Sequence, residues 1–95
     1  MLKRPVNGRR MRILEWLTDP VTHFPPLRHG DRVEDGVTAA AVAEKLAVPR
    51  SVAEAGLRLL AAVGLLRTRR IRLRTYYRRD EVCIAEIARL FEKGW

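Results

Sequence analysis

Seven of the thirteen residues from Arg67 to Arg79 are arginine, and no acidic residue stands among them. Guanidinium groups at that density suit phosphates, through paired hydrogen bonds, and a narrow minor groove, through charge. They point to binding of a polyanion, not to catalysis. A basic edge that discourages aggregation is the plain alternative, but one or two lysines would serve that purpose. Arg67, Arg69, Arg70, Arg72, Arg74 and Arg78 are therefore candidate contacts, with Tyr76 stacking or hydrogen bonding beside them and Tyr77 assigned to the core.

A second set precedes it. Arg50, Ser51, Glu54, Ala55 and Arg58 fall at helical spacing on the outward side of a segment whose apolar residues are Val52, Ala53, Leu57, Leu60 and Val63. There Glu54 can accept from a cytosine amino group and Arg58 can reach a phosphate. The plain alternative is a structural helix that holds the arginine-rich segment. Donors are few, Glu54 repels phosphate, and Gly56 costs roughly 1 kcal/mol relative to alanine inside a helix.

Composition bounds the class. The chain has 95 residues, 19 Lys plus Arg against 11 Asp plus Glu, a formal charge of +8 and 47% hydrophobic residues. That is one small domain, 1–95, too apolar for a disordered basic tail and charged for a polyanionic partner. A single cysteine, Cys83, excludes an intrachain disulfide. His23, His29, Asp31, Glu34 and Asp35 lack metal-ligand spacing, so neither a metal nor a cofactor is expected. No nucleophile–base–acid set or glycine-rich phosphate loop supports an enzyme. The longest apolar run, Leu59–Leu66, is too short to span a membrane. The basic residues near the start (Lys3, Arg4, Arg9, Arg10, Arg12) are followed by Glu15, Asp19 and Pro20 and not by an apolar leader segment. The expectation is a cytoplasmic, nucleoid-associated protein without a membrane partner.

The elements that position these residues follow from periodicity. Met11, Ile13, Leu14 and Leu17 predict a helix over 9–18, which Asp19-Pro20 ends. Residues 19–36, with Pro20, Pro25, Pro26, Gly30 and Gly36, predict a long loop. Thr38 is a good N-cap for a helix over Ala39–Leu46. The break Ala47-Val48-Pro49 then leads into a second helix to Val63, closed by Gly64. Residues 65–79 read as a hairpin turning around Ile71-Arg72, with Leu73, Thr75 and Tyr77 on one face and Arg72, Arg74, Tyr76 and Arg78 on the other. Asp80 caps a last helix, about 80–93, whose Val82, Ile84, Ile87, Ala88, Leu90 and Phe91 form a wide apolar face. The order predicts a mostly α fold with a small β-hairpin wing, a winged helix-turn-helix.

Several segments carry a family resemblance. Leu46-Ala47-Val48-Pro49, Leu57, Leu60 and Ala62-Val63-Gly64-Leu65-Leu66-Arg67 resemble the helix-turn-helix of ArsR-type transcriptional repressors. Arg69–Glu81 is similar to the wing and last-helix start of actinobacterial members, and Ile13–Leu17 with Asp19-Pro20 and His23–Pro26 to their front end. The resemblance implies a homodimeric regulator that places its second helix in a major groove and its wing against backbone or minor groove. It also implies an additional N-terminal dimerising helix, for which this chain leaves little room. Relatives that sense metals carry cysteines or Asp/His pairs where this chain has Ala39–Val42 and Val82–Ile84.

The expected function is a DNA-binding regulator, a dimeric repressor on a two-fold-related operator, with room for a small-molecule inducer whose identity the sequence does not give. Its dimer contacts would come from Trp16, Leu17, Ile84, Ile87, Leu90 and Phe91. The alternatives are a winged-helix accessory module that docks on protein and binds nucleic acid weakly, and a general RNA or nucleoid binder.

Overall fold

A computed structural model describes residues 8–26 and 31–92, with the side chains of residues 91 and 92 outside the description. The elements are α1 (Gly8–Trp16), α2 (Pro20–His23), β1 (Val37–Thr38), α3 (Ala39–Leu46), α4 (Arg50–Ala62), β2 (Leu66–Ile71), β3 (Arg74–Arg79) and α5 (Glu81–Glu92). Helices dominate, and the strands form one antiparallel sheet in the order β1-β3-β2. This is a winged helix-turn-helix.

Local chemistry explains the helix-turn-helix. The Thr38 hydroxyl accepts from the Ala41 amide at 3.3 Å and starts α3. Ala47 closes that helix in the left-handed region, at φ 59 and ψ 47. Pro49 follows as the N-cap of α4, where its missing N–H has no helical partner to lose. Gly64, at φ +91, turns the chain out of α4 toward the wing. Val42 and Ala43 of α3 pack with Ala53, Leu57 and Leu60 of α4, Ile13 and Leu17, and the sheet residues Val37, Leu66 and Tyr77.

The segment between α1 and α3 is more organised than a plain loop. It contains the turn of helix α2, and the Arg32 guanidinium donates to the carbonyls of Phe24 (2.6 Å) and Val21 (3.2 Å). The Asp31 carboxylate accepts from the amides of Val33 (2.8 Å) and Glu34 (3.0 Å), which draws its pKa below 3.8. The segment then ends in β1, a strand that the periodicity of Val37-Thr38 is too short to reveal. Gly36 makes this possible: at φ +103 it passes so close to β3 that a Cβ would land on the Tyr77 carbonyl.

Three expectations need correction. The wing turns at Arg72-Leu73, one residue later than predicted, because Ile71 pairs with Arg74. Arg72 takes a left-handed φ of 58, and Leu73 stands at the tip 87% exposed, not on the inner face. Met11 and Val63, placed by periodicity in the apolar stripes, are exposed. Asp80 does cap α5, accepting from the Cys83 amide at 3.0 Å, yet no described residue of α5 is buried.

Candidate nucleic-acid interface

The helix α4 sorts its residues by angle. At 3.6 residues per turn, Ala53, Leu57 and Leu60 form the inner stripe, and Ser51 and Ala55 lie on the opposite, exposed side. Glu54 and Arg58 occupy the flank near the sheet, close enough for their charges to act on the Tyr77 hydroxyl. They also face one another, Arg58 Nη2 to Glu54 Oε1 at 4.0 Å. Arg50 is exposed at the start of the helix. All five predicted residues of α4 therefore reach the surface to some degree, with Glu54 half-buried and its charge partly answered by Arg58.

Strand register sorts the wing. Cross-strand partners Arg67 and Arg78, Arg69 and Tyr76, and Ile71 and Arg74 share one face. The other face carries Leu66 and Arg79, Thr68 and Tyr77, and Arg70 and Thr75. Arg67, Arg69, Arg70, Arg72 and Arg74 are exposed, and Arg78 is half-buried. Among the described residues, Arg67, Arg70, Arg72, Arg74 and Arg78 enter no ion pair. Arg69 differs: its Nη1 lies 3.2 Å from Asp35 Oδ1.

Tyr76 is not a surface group. It is 2% exposed, whereas it was expected outward beside the arginines. The physical reason is the third strand, which makes β3 central and sets Thr38 against Tyr76 on one side while Arg69, tied to Asp35, flanks it on the other. Tyr77, 5% exposed, joins the core, and that burial pushes its pKa above 10.0.

Arg79 is the wing arginine with a structural role, one that its place in the arginine run conceals. Its Nη1 donates to the Leu14 carbonyl at 2.9 Å and its Nε to Glu81 at 2.7 Å, joining the wing to α1 and α5.

Of the residues expected at a dimer contact, Leu17 is instead spent in the chain's own core, 6% exposed, because it closes the packing of α1. Trp16 is half-buried, with Phe24 edge-on at 6.3 Å and the Lys45 ammonium 4.8 Å from its ring centre. Ile84 and Ile87 are half-buried and Leu90 is 53% exposed; the Phe91 side chain lies outside the described residues. His29 lies outside them too, and no group of three or more His, Cys, Asp or Glu among the described residues is placed to hold a metal ion. Among the same residues, no helix is long and apolar enough to cross a membrane.

A helix pair with an exposed outer row, followed by a basic hairpin, defines the class: winged helix-turn-helix proteins. The chain is 38% identical over 82 residues to the uncharacterized HTH-type transcriptional regulator YbzH of Bacillus subtilis (strain 168), an alignment covering 86% of this chain and 82% of that one. It belongs to the HTH-type transcriptional regulators. No family profile matches the chain, and no solved structure does.

Proposed function

We propose that this protein is a dimeric, ArsR-type transcriptional repressor that binds duplex DNA with α4 in the major groove and the wing against the backbone or minor groove. The carrying observation is the set of exposed wing arginines, Arg67, Arg70, Arg72 and Arg74, that enter no ion pair among the described residues, on the same small body as the open outer row of α4. Arginines held on a hairpin bind phosphates wherever they meet them, while Arg50, Ser51, Glu54, Ala55 and Arg58 supply what base reading there is. Charge fixes the affinity and α4 the preference.

The dimer reading rests on α5. Val82 is 70% and Leu90 53% exposed, on a helix with no buried described residue. Such a face on a small domain gains by covering a second copy of itself in a two-fold arrangement. Repression would then follow from occupancy of a two-fold-related site overlapping a promoter.

Selection from random duplexes in the presence of competitor DNA tests this reading. A palindrome with half-sites about one helical turn apart is the expected product. If a dimer neutralises about eight phosphates, log K falls with log salt at a slope near −7. Replacing Arg72 and Arg74 by alanine weakens binding on every sequence and flattens that slope, whereas replacing Arg50 or Ser51 alters preference. Retention of duplexes with no enriched motif would overturn the repressor reading and favour an accessory module.

A further inference from the structure

The first five residues of α1 include Arg9, Arg10 and Arg12 and no acidic residue. Helix stability alone favours the reverse, because the N-terminal end of a helix is the positive end of its dipole. Packing uses only part of this charge. Arg9 and Arg12 are exposed, and Arg10 is half-buried with its Cγ 3.8 Å from where a Cβ on Gly56 would lie.

Gly56 lies where the two helices meet, a Cβ there standing at ordinary contact distance from Arg10 and Ile13. At this seam α1 sits against the flank of α4 beside its open row. The three arginines consequently line one groove with Ser51, Ala55 and Leu59. At about 1210 Å³, this groove exceeds the ~300–1,000 Å³ of an ordinary small-molecule site. Its acidic lining residue is Glu15, and among the described residues none of the three arginines enters an ion pair.

We infer that Arg9, Arg10 and Arg12 form a second phosphate-binding rail, on the side of α4 away from Glu54 and Arg58. The ligand is the sugar–phosphate backbone of the duplex that α4 enters. This rests on the DNA-binding reading and extends it: α4 then lies between two basic walls, the wing and the start of α1, so each subunit grips the backbone on both sides of the groove.

The test uses the full chain and a fluorescent mixed-sequence duplex titrated over a range of salt. The triple variant Arg9→Gln, Arg10→Gln, Arg12→Gln keeps helix-forming side chains; each lost phosphate contact lowers the salt slope by about 0.9, so the expected fall is roughly 2 to 3 per bound chain. The triple lysine variant keeps the wild-type slope, which a merely structural role of Arg10 would not predict. Hydroxyl-radical footprinting on a selected site shows protection lost at one flank of each half-site in the glutamine variant. Should that variant fold poorly, Arg9→Ala with Arg12→Ala, both exposed positions, is expected to lower the slope by about 2.

Wild-type slope and footprint in these variants would overturn the rail. If Arg67→Ala with Arg70→Ala still weakened binding, the DNA-binding reading would survive that result. Failure of the wild-type chain to retain duplex at low salt would overturn both.

Discussion

Arg69 of the wing and Asp35 of the segment before β1 form an ion pair at 3.2 Å, with the carboxylate side chain only 13% exposed and the guanidinium 61% exposed. An acidic group from the first half of the chain thus neutralises one wing arginine on the surface proposed to bind phosphate. Asp35→Asn is expected to free that charge. Affinity for any duplex rises, and the salt slope steepens by about 1 per bound chain. Equal slopes for the variant and wild type would show that Arg69 takes no part in binding.

Two of the glycines that abut other elements, Gly56 and Gly36, predict opposite outcomes. A Cβ at Gly56 would meet Arg10 and Ile13 at 3.8 and 3.9 Å, ordinary contact distances. Gly56→Ala should therefore gain about 1 kcal/mol from helix propensity, raising Tm by roughly 4–8 °C. At Gly36 the added atom would strike the Tyr77 carbonyl and sit 3.0 Å from the Arg78 nitrogen, on a backbone that disfavours side chains. Gly36→Ala should cost at least about 2 kcal/mol. Calorimetry on the two variants decides both.

Arg72 sets stability against binding. Its φ of 58 strains an L-residue by roughly 1–2 kcal/mol, which glycine relieves at some cost in unfolded-state entropy. Arg72→Gly is expected to be more stable than wild type by about 0.5 kcal/mol and to bind duplex DNA more weakly. A variant that gained stability with unchanged affinity would remove Arg72 from the contact set.

Tyr77 predicts an alkaline limit. Burial, and secondarily the charge of Glu54, raise its pKa above 10.0, against the opposing charge of Arg58. A raised pKa contributes stability that is fully present below the unfolded value and lost as pH rises through the folded one. Stability of the wild-type chain should therefore fall relative to Tyr77→Phe above pH 10. Parallel urea midpoints for the two proteins through that range would contradict this account.

Much of the frame was legible because its signals are local. Thr38, Pro49 and Gly64 each act on their own or neighbouring residues, and each does in the structure what its chemistry predicts. The arginine run announced a basic surface for the same reason. What stayed hidden depends on residues distant in sequence. β1 is two residues long and exists only because β3 accepts it, and that pairing is what removes Tyr76 from the surface. Arg79 looks like its neighbours until Leu14 and Glu81 are placed beside it. Leu17 had a partner in its own chain, which periodicity cannot distinguish from one in another.

The pairing of Val37 with Tyr77 also has a kinetic meaning. The α3–α4 turn and the β2–β3 hairpin join near neighbours and close cheaply. β1 closes a loop that contains the whole helix-turn-helix, so its entropy cost falls after the local pieces exist. It should be the last seam to form and the first to open. Weakening it by Val37→Ala would then accelerate unfolding and leave the folding rate nearly unchanged.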